Sequence, residues 1–195
     1  MRPRLVPRPL PEDNGQPPWD WLPRWQRVST GWFVAACVLC AWLFVALWTD
    51  DDGYLSGLDG LNLIIHEGGH FVFFWFGRTL ELYGGTILQL AVPLALAVAF
   101  VRRAEAPGVS LCLVWFFQNF LNVARYLGDA RAQELPLVGG GEHDWFNILG
   151  RWHLLRYDTR IAAVLRAIGW LGMIAAWAWL AWRWLRDRRS TASRE

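Results

Sequence analysis

Leu61-Asn62-Leu63-Ile64-Ile65-His66-Glu67-Gly68-Gly69-His70-Phe71-Val72-Phe73-Phe74-Trp75-Phe76 is an almost wholly apolar run with three ionisable side chains at its middle. His66 and His70 are four residues apart, so on a helix both imidazoles share one face and can reach one metal ion. Glu67 stands beside them, where a general base for a metal-assisted hydrolysis would stand. Each ionisable group inside a membrane helix costs roughly 2.5–3.5 kcal/mol on insertion scales, so it needs a partner there. A chance motif on a solvated helix would not carry these apolar flanks. Gly68 and Gly69 weaken a helix but let another backbone come close to the histidines.

The rest of the chain supplies the membrane context. Of 195 residues, 54% are hydrophobic, and the 15 Trp and 11 Phe favour lipid and its interface over a solvated surface. Five stretches have roughly the length and character of a membrane crossing: Gly31–Trp48, Leu61–Phe76, Tyr83–Val101, Val109–Leu127 and Ile161–Leu185. The expected fold is therefore all-α: a polytopic membrane helical bundle of about five transmembrane helices, between four and six. A re-entrant or short-helix loop is expected after the fourth. Residues 1–28, rich in Pro and Arg, read as a disordered tail, 29–187 as the membrane domain and 188–195 as a polar C-terminal tail. The first span reads as a retained signal-anchor, because its apolar run is long and no small-x-small site follows it.

All 19 basic residues are Arg. Lys-free, Ala-rich usage fits a high-GC bacterial genome, which places the chain in a bacterial inner membrane. With five crossings, 12 of the 19 arginines fall on the side of the N-terminus, which the positive-inside rule makes cytoplasmic. The arginine-rich C-terminus conflicts with that count, and an even number of crossings would remove the conflict. The Asp50–Asp52 run, with Asp59, lacks calcium-loop spacing and reads as a solvated, external turn. Cys37, Cys40 and Cys112 lie in apolar spans and read as packing. No basic, aromatic-interleaved surface argues for nucleic acid.

Polar residues recur on the flanking spans. Gln118, Asn122, Arg125 and Asp129 form one helical stripe, Thr86, Gln89 and Pro93 another, and Asn62 precedes His66 by one turn. Asn62, Gln89, Gln118 and Asn122 are candidates to support a metal centre or to hold a substrate backbone. A hydrolytic zinc site takes three protein ligands and keeps one open position. Gly139-Gly140-Gly141-Glu142-His143-Asp144 offers the third. Asp144 is the first choice, with His143 and Asp129 as alternatives. Asp144 can equally cap a helix over Trp145–Leu154. Arg156, Asp158 and Arg160 read as a solvated patch flanking the membrane.

These residues resemble the site-2-protease type of intramembrane zinc metallopeptidase. The resemblance is carried by His66-Glu67-x-Gly69-His70, then Phe76-Gly77, then Tyr83-Gly84-Gly85, then an Asn-bearing fourth span, and it covers roughly residues 60–150. The family's Asn-Pro…Asp-Gly signature is absent, and Asn122…Asp129 and His143-Asp144 stand in its place. The resemblance implies zinc on His66, His70 and a distal aspartate, with Glu67 activating water. It also implies two partners, the lipid bilayer and a transmembrane protein substrate. Two other readings keep the metal: a hydrolase of a lipid or small amphiphile, and a non-enzymatic metal-binding membrane protein.

Overall fold

The computed structural model describes residues 25–50, 54–138 and 142–192, and these form a helical bundle without strands. The helices are α1 (Thr30–Thr49), α2 (Ser56–Phe73), α3 (Arg78–Arg102), α4 (Ala106–Gly128), α5 (Asp144–Arg151) and α6 (Asp158–Ala192). Among the described residues, α1, α3, α4 and α6 are long and apolar enough to cross a membrane. The count falls at the lower bound of the sequence expectation. The stretch that drops out is α2, which is shorter and carries Asp59 and Glu67 within it.

The bundle has two distinguishable ends. At one, Gln26 N donates to Ala104 O (2.9 Å), Val28 N donates to Asp187 Oδ2 (3.0 Å) and Trp25 packs edge-on against Trp179. The start of α1, the α3–α4 turn and the last turns of α6 therefore meet there. At the other end Ala124, Leu127 and Ala130 pack with Leu149 and Ala162, joining the end of α4 to α5 and to the start of α6. Between the ends, Cys40, Leu43 and Leu47 of α1 pack with Val114, Leu121 and Met173. Ser110 Oγ donates to the Ala176 carbonyl (2.8 Å), so a buried hydroxyl ties α4 to α6.

Both ends of α2 stay at this second end. Tyr54, just before it, lies under the Arg125 guanidinium at 4.9 Å, in the last turn of α4. Arg78, just after it, reaches Glu142 at 3.1 Å, just before α5. The close partner of α2 is α3, and glycine makes the approach possible. A Cβ on Gly69 would strike the Gly84 carbonyl, and one on Gly84 would lie 2.7 Å from the Gly69 carbonyl oxygen. The start of α1 and the last turns of α6 lie at the same end of the bundle, where Phe33 stacks on Trp184.

Three expectations are adjusted here. Residues 1–24 of the expected tail lie outside the described residues, whereas Trp25–Val28 pack on the bundle, with Val28 buried. Residues 193–195 also lie outside them, while α6 runs on to Ala192 instead of ending at Leu185. The helix expected over Trp145–Leu154 stops at Arg151. His153 adopts φ +57°, and Leu154 N bonds the Leu149 carbonyl, closing the helix with a left-handed turn.

Candidate metal centre

α2 presents Asp59, Asn62, His66 and Gly69 as its buried face, a three-to-four-residue spacing that is one side of a helix. His66 and His70 sit one turn apart on it, with ring centroids 4.9 Å apart. Each Nδ1 faces a carbonyl oxygen: His66 Nδ1 lies 3.0 Å from Gln89 Oε1, and His70 Nδ1 lies 2.8 Å from Glu81 O. The amide of Gln89 is oriented by its other end, since Nε2 donates to Asn119 Oδ1 (2.8 Å) and Asn122 Oδ1 (2.7 Å). Both imidazoles must therefore donate from Nδ1. In neutral rings the lone pairs are then on Nε2.

Both Nε2 atoms point at one oxygen. Asp144 Oδ2 is 3.0 Å from His66 Nε2 and 3.1 Å from His70 Nε2. Asp144 opens α5 and is buried. It is held by α4, because its backbone N donates to Tyr126 Oη (3.1 Å). One ligand atom from each of His66, His70 and Asp144 lies within 4.8 Å of the others, so the group could hold a metal ion. Two imidazole lone pairs converging on a carboxylate oxygen repel unless a metal ion or an added proton lies between them. Nδ1 bonded to a carbonyl with Nε2 free is the usual setting of a metal-ligating histidine.

Glu67 is exposed and borders two cavities. One, of about 200 Å³, also holds His70, Tyr126 and Asp144; the other, of about 420 Å³, holds His66, Arg125 and the apolar Leu63 and Leu135–Val138. Gly85 leaves room for His66, since a Cβ there would lie 2.5 Å from its Nε2.

The other two candidate ligands, His143 and Asp129, face each other instead of the metal group. His143 caps α5, its Nδ1 accepting from Phe146 N (3.3 Å), and its Nε2 is 3.5 Å from Asp129 Oδ2. His143, not Asp144, is thus the helix cap. Burial holds its imidazole below the ordinary value. Asp129 uses both oxygens on the backbone N–H groups of Glu134 and Leu135.

The four supporting residues separate by distance from the histidines. Gln89 bonds His66 directly and Asn122 stands one step behind it. Asn62 and Gln118 gather instead around Asp59. Sequence reading placed Asp59 in a solvated turn, yet it is only 2% exposed. The signal was present, because Asp59 lies one turn before Asn62 on the histidine face. Asp158 is another correction. It is buried, not solvated, and Arg131 clamps it at 2.7 Å. Tyr126 and the Glu81 carbonyl were also missed, and a backbone acceptor leaves no trace in side-chain patterns.

Comparisons with protein-family models, curated proteins and solved structures find no match.

Proposed function

We propose that this chain is an intramembrane zinc-dependent metalloprotease. The observation that carries the reading is the convergence of His66 Nε2 and His70 Nε2 on Asp144 Oδ2, with both Nδ1 atoms tied back to carbonyls. A two-histidine, one-carboxylate set leaves a fourth tetrahedral position open, which separates a hydrolytic zinc site from a closed structural one. Zinc, when bound, supplies Lewis acidity toward water and a scissile carbonyl. Glu67, at the meeting of the two cavities, takes the proton from the attacking water and can return it to the leaving amine. Asp144 and the histidines hold their orientation through Tyr126, Gln89 and the Glu81 carbonyl. A helical substrate must unwind locally, since its carbonyls are otherwise hydrogen-bonded.

A second reading, hydrolysis of a small amphiphile, draws support from the larger cavity. Its apolar wall of Leu63, Leu135, Leu137 and Val138 suits an acyl chain, and Arg125, Asp59 and Glu67 share the lining.

The arginines favour one orientation. Arg27, Arg102, Arg103 and the group from Arg183 to Arg189 stand at the end away from the metal group, and Arg2, Arg4, Arg8 and Arg24 precede α1. The positive-inside rule makes that end cytoplasmic, which turns the site toward the opposite face of a bacterial inner membrane.

The test is the full chain in detergent. It should bind about one zinc, and Glu67→Gln should keep the metal while cleavage of a transmembrane peptide falls at least ~10²-fold, the usual worth of a general base. Undiminished cleavage in Glu67→Gln would end the reading. Release of fatty acid from lipid, with no peptide cleaved, would favour the second.

A further inference from the structure

We propose that Asp59 is a positioning residue for the metal centre: it sets the tautomer and basicity of His66 through two side-chain amides, half-buried Asn122 and buried Gln89. The inference rests on the metal reading above and deepens it. Asp59 Oδ1 accepts from Gln118 Nε2 (2.8 Å), Asn122 Nδ2 (3.1 Å) and Asn62 Nδ2 (3.3 Å), and Oδ2 accepts from Leu55 N (2.6 Å). All four partners are N–H donors, so Asp59 acts purely as an acceptor.

That polarity propagates. Asn122 spends its NH₂ on Asp59, which leaves Oδ1 to accept from Gln89 Nε2 at 2.7 Å. Gln89 spends its NH₂ on Asn122 and Asn119, which leaves Oε1 for His66 Nδ1 at 3.0 Å. His66 must then donate from Nδ1 and offer Nε2 to the metal. A side-chain amide can flip by 180° and reverse the whole chain of bonds. The reversed chain would set the Asn122 oxygen against the Asp59 carboxylate, two acceptors face to face, so Asp59 forbids it.

The two histidines show why such a device is needed. The Nδ1 of His70 is held by a backbone carbonyl, Glu81 O, which cannot flip. The Nδ1 of His66 is held by a side-chain amide, which can. Asn119 gives Gln89 a parallel anchor, since its own Nδ2 donates to the Trp115 carbonyl (3.0 Å). Only the Asp59 branch ends in a carboxylate, and a carboxylate behind a ligating histidine makes it a better donor to the metal. Here two amides are interposed between the carboxylate and the ring. Asp59 and Gln89 are each 2% exposed, while Asn122 between them is half-buried and borders the larger cavity.

The experiment is zinc affinity of the full chain in detergent, measured by chelator competition. Asp59→Asn keeps the shape but can donate, so it removes the carboxylate-ended one of the two anchors on Gln89. Its affinity should fall about tenfold, the lower end of losses for partners behind metal ligands. Asn122→Asp places an acceptor-only carboxylate directly on Gln89 Nε2, so Asp59→Asn/Asn122→Asp should regain the lost affinity. A purely structural Asp59 would give no such rescue. Should Asp59→Asn fail to fold, Asn122→Ala cuts the same path and should show the same loss. Wild-type affinity in the folded variant, or a loss that Asn122→Asp does not relieve, would overturn the role of Asp59 alone. A wild-type chain that binds no zinc would overturn this role together with the proposed function.

Discussion

Two histidine–aspartate groupings lie within a few residues of each other, and they are chemically opposite. In the first, His66 and His70 meet Asp144, and in the second, His143 meets Asp129. His143 accepts on Nδ1, from the N–H of Phe146, so its proton is on Nε2, pointing toward Asp129. That is an ordinary neutral imidazole capping a helix, stacked on Tyr126 at 4.3 Å. His66 and His70 donate from Nδ1, so both lone pairs point at the Asp144 carboxylate. The same residue types need a metal ion or an added proton in one case and neither in the other. The tautomer decides, and the partner of Nδ1 decides the tautomer.

The comparison can be broken most decisively by metal content. Asp144→Ala, His66→Ala and His70→Ala should each abolish the single zinc, whereas His143→Ala and Asp129→Ala should retain it. Inductively coupled plasma mass spectrometry on the purified variants reads this directly. Zinc lost from His143→Ala and kept by Asp144→Ala would reverse the assignment of the two groupings.

Gly85→Ala sharpens the comparison without touching a ligand. The added methyl would lie 2.5 Å from His66 Nε2 and must displace the ring. Alanine is the better helix former by about 1 kcal/mol, so α3 itself is not weakened. Zinc affinity should drop beyond the roughly 10–100-fold typical of losing a partner behind a ligand. Equal affinity in a folded Gly85→Ala would mean that the ring sits elsewhere.

The smallest effect falls on the second grouping. His143→Ala removes the cap of α5 and should cost about 1 kcal/mol of stability, while His143→Asn, itself a good cap, should cost less. Thermal unfolding followed by circular dichroism measures the difference. A loss of bound zinc that exceeds the loss of stability would show that the cap also shapes the metal group.

Much of this was legible along the chain because it is local. The helical class follows from apolar stretches that must satisfy their own backbone in lipid. The shared face of His66 and His70 follows from their spacing of four. The short helix after α4 follows from a glycine run ending in a broken apolar segment. Asp59 was also within reach, since Asp59, Asn62 and His66 share that face. It was passed over because acidic neighbours at Asp50–Asp52 suggested a solvated turn.

What the chain by itself determined was therefore which residues lie on one helix face and which stretches prefer lipid, since both are set within a few turns of backbone. The tertiary structure alone decided three things. It set Asp144, and not His143 or Asp129, beside His66 and His70, because that juxtaposition joins residues 78 apart in sequence and depends on where Tyr126 holds the start of α5. It brought both ends of α2 to one end of the bundle, because Gly69, Gly84 and Gly85 let α2 lie tightly against α3. It also fixed the tautomers of His66 and His70, because an imidazole takes its proton position from whichever acceptor the fold places behind it, here a buried glutamine and a backbone carbonyl.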